Sequence, residues 1–126
     1  MRFSDFKKIV YSLKMPKEME IISFSEAGVT PSFHVAFVKE GTSEFCILCS
    51  IQSEWAFSER LAEFSCDLNF IDRVDLAFAL KEGFGIISRN KKELDASFAL
   101  QDYMHESDVK YWAPKSLGVG MFNWWD

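Results

Sequence analysis

The sequence predicts an α+β domain in which a small antiparallel sheet packs against helices. Two observations lead to this fold class. Three strand-like apolar stretches lie in the first half of the chain, separated by short turns. Other segments repeat their apolar residues at the three- to four-residue spacing of amphipathic helices. With 126 residues and no linker, repeat or low-complexity segment, the chain is expected to form a single domain over residues 1–126.

The first predicted element is a helix that begins at Ser4, because serine often caps helix N-termini. Its apolar residues recur at helical spacing and predict one buried face: Phe6, Ile9, Val10 and Leu13. The sequence MPKE at residues 15–18 contains a proline and is expected to end this helix.

Three strands are predicted next, at residues 18–24, 32–38 and 44–51. In the second strand Phe33, Val35 and Phe37 alternate and therefore share one face. The third strand, EFCILCSI, is apolar on both faces, which is typical of a central strand covered on both sides. Because the connections are short, the three strands are expected to form an antiparallel meander.

The spacing of the apolar residues changes after Ser53. Phe57, Leu61 and Phe64 lie at i, i+4 and i+7, which predicts a helix over residues 54–65. Ile71, Val74 and Phe78 fit a further helix that ends near Gly83, although residues 74–80 could also serve as a strand. The sequence GFGIIS at residues 83–88 is a candidate for a short strand.

A clearer helix start follows at Asn90, since an N-cap asparagine with Glu93 three residues later has the spacing of a capping box. Leu94 and Phe98 continue the apolar face of this helix. The terminal sequence KSLGVGMFNWWD is expected to form a last short helix from Ser116. Because exposed tryptophans would invite aggregation, we expect this segment to be buried and to close the core.

Charge limits the classes of partner. The net charge is −5, and residues 44–126 carry fourteen acidic against eight basic side chains. An acidic surface repels phosphate, which argues against direct binding of nucleic acid or an anionic membrane and favours a basic protein partner. The sequence has neither an apolar run as long as a membrane span nor a signal-peptide pattern, so a cytoplasmic location is expected.

The cysteines Cys46, Cys49 and Cys66 are odd in number and lie in apolar contexts, which indicates reduced thiols. Cys46 and Cys49 have the CxxC spacing of zinc ligands, but residues three apart in a strand project to opposite faces. No glycine pair extends to a phosphate-binding motif either. We therefore expect no metal and no cofactor.

The two histidines suggest different roles. His34 lies within a predicted strand and is expected to be a partly buried structural residue. His105 lies in an acidic stretch, and a histidine beside carboxylates could act as a general base. An alternative function is therefore a small enzyme that uses His105 with Asp102, Glu106 or Asp108.

Carboxylates concentrate in two stretches, residues 54–75 and residues 93–108. Together these stretches could form an acidic patch that steers a basic protein and covers its anion-binding groove. Ordinary solvated helix faces would produce the same pattern. The partner-binding candidates in the two stretches are Glu59, Glu63, Asp67, Asp72, Asp75, Asp102, Glu106 and Asp108.

The closing sequence carries a family resemblance. The pattern Tyr111-Trp112-x-Pro114-x-x-x-Gly118-x-x-x-Phe122-Asn123-x-Trp125-Asp126 resembles the ending of small immunity proteins of bacterial polymorphic toxins, including those of contact-dependent inhibition. The resemblance implies a cytoplasmic protein, not an enzyme, that neutralises one cognate toxin domain, often a nuclease with a basic cleft. An oligomerising accessory protein remains a further alternative, and the sequence does not predict the oligomeric state.

Overall fold

A computed structural model describes residues 1–14, 19–28, 33–60, 69–95 and 122. Within these residues one five-stranded antiparallel sheet and three helices confirm the α+β fold class. The elements in chain order are α1 (Phe3–Lys14), β1 (Met19–Ser25), β2 (Phe33–Glu40), β3 (Ser43–Ser50), β4 (Trp55–Glu59), β5 (Phe70–Ile71), α2 (Val74–Phe84) and α3 (Lys91–Leu94).

The sheet is a meander, because its strand order β1-β2-β3-β4-β5 follows the chain and every neighbouring pair is antiparallel. Glu40 pairs with Ser43, so only two residues connect β2 to β3. Gly41 has φ of 62°, a left-handed conformation that suits glycine in so tight a turn. The predicted meander is confirmed and extends to β4 and β5.

Strand β3 lies at the centre of the sheet, and all of its residues from Phe45 to Ser50 are buried. Ile47 and Cys49 point into the apolar cluster on one face, whereas Cys46 and Leu48 point into the cluster on the other. The prediction of a central strand covered on both sides is therefore confirmed.

Helices α1 and α2 cover the first face of the sheet. Phe6, Val10 and Leu13 of α1 are buried there, as the helical spacing predicted. The ring of Phe6 lies 5.2 Å from that of Trp55, between ring centroids. The predicted start at Ser4 is wrong, because α1 begins at Phe3 and the Arg2 carbonyl accepts the first backbone N–H bonds of the helix.

The second face is covered by Leu94 of α3 and by Phe122. The ring of Phe122 lies 5.8 Å from that of Phe33 and 5.9 Å from that of Phe70, between ring centroids. The expected burial of the closing sequence is thus observed at Phe122, and the rest of the predicted helix from Ser116 lies outside the described residues.

The helix predicted over residues 54–65 is wrong where the structure describes it, because Trp55–Glu59 is strand β4. Trp55 and Phe57 point to the first face and Ala56 to the second, so the strand period of two also fits these residues. The apolar spacing fits both a helix and a strand, and the backbone pairing with β3, for example of Ile47 with Phe57, selects the strand. Residues 61–68 lie outside the described part of the chain.

Helix α2 confirms the helix predicted in this segment from Val74 onward, but the predicted helix is wrong at Phe70–Ile71, which form β5. The predicted buried face is also wrong. Leu76 and Leu80 are buried, whereas the side chains of Val74 and Phe78 are 78% and 66% exposed. The reason lies in the preceding segment. Because Ile71 pairs with Phe57 in the sheet, the chain enters the helix only at Val74 and turns its leucines inward.

The short strand predicted at residues 83–88 is wrong, because α2 ends within this stretch. Gly85 adopts φ of 67°, and the N–H of Ile86 donates to the Leu80 carbonyl, as at many glycine-terminated helices. The capping box predicted for α3 is confirmed: the Asn90 side chain accepts the Glu93 N–H, and the Glu93 carboxylate accepts the Asn90 N–H. Phe98 lies outside the described residues.

Replacing Phe122 tests whether its ring is buried against the second face of the sheet. Phe122→Ala should lower the free energy of unfolding by about 3–5 kcal/mol, because it removes a fully buried ring. Urea denaturation measures the change, and Phe84→Ala, at a half-exposed phenylalanine, is the matched control. A loss for Phe122→Ala no larger than that of the control would contradict the burial of this ring.

Candidate functional site

Three of the eight predicted partner-binding residues lie in the described part of the chain. Glu59 ends β4, Asp72 follows β5, and Asp75 lies in the first turn of α2. Glu59 and Asp72 are exposed, and Asp75 is partly buried. The other five lie outside the described residues: Glu63, Asp67, Asp102, Glu106 and Asp108.

Asp72 connects the end of the sheet to α3. One of its carboxylate oxygens accepts the backbone N–H of Lys91 at 2.8 Å. That N–H belongs to the first turn of α3 and has no partner within the helix. Asp72 therefore fixes the start of α3 beside the last strand while its charge stays at the surface.

Lys91 brings Glu59 and Asp72 into one cluster. The pKa of Lys91 is raised, mainly by the hydrogen bond of its Nζ to Asp95 at 2.8 Å. Desolvation opposes this increase, and the charges of Asp95, Glu59 and Asp72 add to it. Asp95 contacts the ammonium group directly, whereas Asp72 contacts the backbone N–H of the same residue. The structure brings together two acidic residues that are thirteen positions apart in the sequence.

Asp75 already has an intramolecular partner. Both of its carboxylate oxygens accept hydrogen bonds from Arg73, whose guanidinium also donates to both oxygens of Glu40. The guanidinium stacks over the ring of Phe45, 4.3 Å from its centroid. Burial by itself would lower the pKa of Arg73, but the carboxylates of Asp75 and Glu40 outweigh it and raise that pKa.

A third cation is held in the same manner. The Arg89 guanidinium donates to Glu54 at 2.9 Å and to Glu93 at 3.4 Å, and the hydrogen bond to Glu54 is the main reason that its pKa is raised. Lys91, Arg73 and Arg89 are each bound or approached by at least two carboxylates. An excess of negative charge therefore remains around these cations.

The outer face of α2 adds an apolar component next to the carboxylates. Val74 and Phe78 lie one helical turn apart, and both are strongly exposed. Asp75 and Glu82, seven residues apart, run along one side of this pair. Sequence reasoning selected Val74 and Phe78 but assigned them to the core. Leu76 and Leu80 show the same spacing, so periodicity alone does not distinguish the buried pair from the exposed one.

His34, expected to be partly buried, is almost completely buried, and its ring is held by backbone groups on both sides. Its Nδ1 accepts the N–H of Ala27 at 2.8 Å, and its Nε2 lies 2.9 Å from the carbonyl oxygen of Met1. A carbonyl oxygen can only accept, so Nε2 carries the proton. With both nitrogens in use, this ring is a structural connector and does not face a substrate site.

The alternative enzymatic site falls on residues that the structure does not describe, since His105 and its acidic neighbours all lie between positions 96 and 121. Across the described residues, no group of three or more His, Cys, Asp or Glu side chains is placed to hold a metal ion. The chemistry of His105 therefore stays a prediction.

Cys46 and Cys49 point to opposite faces of β3, as predicted, and so cannot share a metal ion. Both cysteines are buried, and Cys66 lies outside the described residues. Burial is the main reason that the pKa of Cys49 rises from 9.0 to about 12, with a smaller contribution from Glu54. The Cys49 thiol is thus neutral and unreactive in the folded protein at physiological pH.

No helix among the described residues is long and apolar enough to cross a membrane. The chain has no match among protein-family models, among curated proteins or among solved structures.

The raised pKa of Cys49 predicts a loss of stability at alkaline pH. The unfolded thiol ionises from about pH 9 and the folded thiol only near 12, so stability is complete below pH 9 and declines above it. Cys49→Ala lacks this titration. The difference in free energy of unfolding between wild type and Cys49→Ala should fall by up to about 1.4 kcal/mol per pH unit above pH 9.

Urea denaturation at intervals from pH 8 to 10.5 measures this difference. The titrations of lysines and tyrosines are common to both proteins and cancel in the comparison. A difference that stays constant over this range would show that the Cys49 thiol is not shielded from water.

Proposed function

We propose that this chain is an immunity-type protein that binds and neutralises a cognate bacterial toxin domain in the cytoplasm. The toxin's active site is basic, as in a nuclease that holds phosphate. The chain covers that site and performs no reaction itself. The resemblance of the closing sequence to immunity families agrees with this role.

One structural observation supports the proposal most strongly. Carboxylates outnumber cations around Lys91 and Arg73, directly beside a helix that exposes Val74 and Phe78. An apolar centre with a charged rim is the usual composition of a protein–protein interface. A surface of this kind suits a large basic partner better than a small molecule, for which a concave pocket would be expected.

The two parts of the surface have different physical roles. Exposed carboxylates such as Glu59 and Asp72 attract a basic domain over a distance and raise the rate of association. Phe78 would then be removed from water in the complex and slow its dissociation, as buried aromatic residues do at the centre of interfaces. The bound chain would exclude the toxin's substrate by occupying the basic groove.

The electrostatic part is tested with Glu59→Gln/Asp72→Asn. These changes remove two charges, and the asparagine keeps an acceptor for the Lys91 N–H. Binding to the toxin-domain protein encoded beside this gene should weaken about 2- to 30-fold at low ionic strength, with a smaller effect in high salt. Calorimetric titration at two salt concentrations measures the affinity.

Glu20→Gln is the matched control for that titration, because Glu20 is an exposed carboxylate on β1, at the opposite edge of the sheet. Equal affinities for the wild type and the double variant would remove Glu59 and Asp72 from the interface. If the wild-type chain does not bind the neighbouring toxin domain at all, the proposed function is wrong.

The apolar part is tested with Phe78→Ala, which should cost about 1–4 kcal/mol of binding free energy, mainly through faster dissociation. Ile22→Ala on β1 removes a side chain of comparable exposure at the opposite edge of the sheet and serves as the control. Surface plasmon resonance separates the two rates. Equal dissociation rates for both variants would exclude α2 from the interface.

A further inference from the structure

Strand β1 forms one edge of the sheet. Across residues 1–14, 19–28, 33–60, 69–95 and 122 it pairs with β2 alone, so its outer side offers backbone N–H and C=O groups for further pairing. Proteins usually protect such edges with lysine, proline or a β-bulge. Met19–Ser25 contains neither lysine nor proline, and its one protective feature is a bulge at Ile22. An extended segment can therefore still add to this edge.

The bulge determines which residues of β1 share a face. Ile22 has no partner on β2, because the register shifts between Ile21 and Ser23. Met19, Ile21 and Phe24 therefore all point to the first face, where they pack against its apolar cluster. The side chains of Ile21 and Phe24 are only partly buried there, and Ile22 is 51% exposed. Apolar surface thus lies along the same edge as the unpaired backbone groups.

We propose that β1 is the interface of a two-fold symmetric dimer, in which two copies of this chain pair their β1 strands antiparallel. The two-fold axis is perpendicular to the sheet, so the first faces of both copies lie on the same side. Ile21 then pairs with Phe24 of the second copy, and symmetry makes this contact twice. Such pairs of an aromatic and a β-branched residue stabilise antiparallel strands. Tyr11 of α1, which is 53% exposed and lies 5.4 Å from the Phe24 ring between centroids, borders this contact.

The same register also suits the other face of β1. Glu20 and Ser25 alternate with first-face residues, so both point to the second face and lie opposite each other across the dimer axis. Glu20 is the one charged residue of β1, and it already lies opposite Lys39 of β2. No like-charged pair therefore forms between the two β1 strands.

The distribution of charge favours a second copy over a basic protein at this edge. Glu59 and Asp72 lie by the opposite edge, at β4 and β5, and a basic partner is attracted there. In the dimer the two β5 strands are roughly 40 Å apart, as nine strand spacings require. Repulsion over that distance is screened, because the Debye length is about 8 Å at physiological ionic strength. Both acidic surfaces stay exposed, so dimerisation does not depend on what they bind.

The dimer is closed. Pairing uses the β1 edge of both copies and joins two five-stranded sheets into one. The remaining edges are the two β5 strands, each only Phe70–Ile71. So short an edge gives a further chain little backbone to pair with, and the assembly should end at two copies.

Sedimentation equilibrium of the full chain tests the interface. The wild type should have about twice the 14.6 kDa mass of one chain. Ile22→Lys and Ser23→Lys each place two like charges at the centre of the interface and should raise the dissociation constant about tenfold or more. Both side chains are exposed in the single chain, so its fold should tolerate either change, which circular dichroism verifies.

Ile87→Lys is the matched control. Ile87 is 68% exposed and lies between α2 and α3, on the side of the sheet where Arg89 bonds to β4. The same substitution there should leave the dissociation constant unchanged.

NMR of a mixture of ¹³C-labelled and unlabelled chains tests the register. Isotope-filtered nuclear Overhauser effects, which report only contacts between copies, should connect the Ile21 side chain to the Phe24 ring. This measurement on the wild type decides the proposal even where a lysine variant fails to fold.

Four results would overturn it. The wild type could stay monomeric up to the concentration used for NMR, or it could form assemblies larger than a dimer. Folded Ile22→Lys and Ser23→Lys could dimerise as tightly as Ile87→Lys, which would place the interface elsewhere. A dimer without contacts between Ile21 and Phe24 of different copies would contradict the proposed pairing.

Discussion

Burial of β3 on both faces is the constraint on which the rest of the structure depends. A strand with apolar residues on both faces needs other segments packed against each face, and here the two faces are packed by different parts of the chain. Helices α1 and α2 pack on the first face, and Leu94 and Phe122 pack on the second. This arrangement also places Cys46 and Cys49 on opposite faces, so the two thiols cannot share a metal ion. The predicted partner-binding residues that the structure describes, Glu59, Asp72 and Asp75, lie outside the two buried clusters.

The periphery is where the charges are organised. Arg73 and Arg89 each join elements distant in sequence: Arg73 reaches Glu40 on β2, and Arg89 reaches Glu54 before β4. Surface ion pairs of this kind add little stability, and their geometry is more informative than their energy. Because each arginine meets two carboxylates, its surroundings keep a negative charge while the side chains are held in place. A preorganised acidic surface beside an exposed apolar helix face suits recognition of a basic protein.

The sequence correctly predicts those elements in which the spacing of the apolar residues fits only one type of secondary structure. The two-sided apolar run at residues 44–51, the face of α1 and the capping box at Asn90 all agree with the structure because local chemistry determines them. The errors occur where two periods fit the same residues. Phe57 satisfies a helical and a strand pattern, and only pairing with Ile47 selects the strand. The cluster of Glu59 and Asp72 around Lys91 depends on tertiary contacts that no local pattern encodes.

Adjacent substitutions in β3 test the two-sided burial most directly. Ile47→Ala opens a cavity on the first face, and Leu48→Ala opens one on the second. If both faces are covered, each change should lower the free energy of unfolding by about 2–5 kcal/mol, as for other buried aliphatic residues. Urea denaturation of the two variants gives the comparison. A loss below about 1 kcal/mol for Leu48→Ala, beside a full loss for Ile47→Ala, would show that the second face is open to water and would contradict this account.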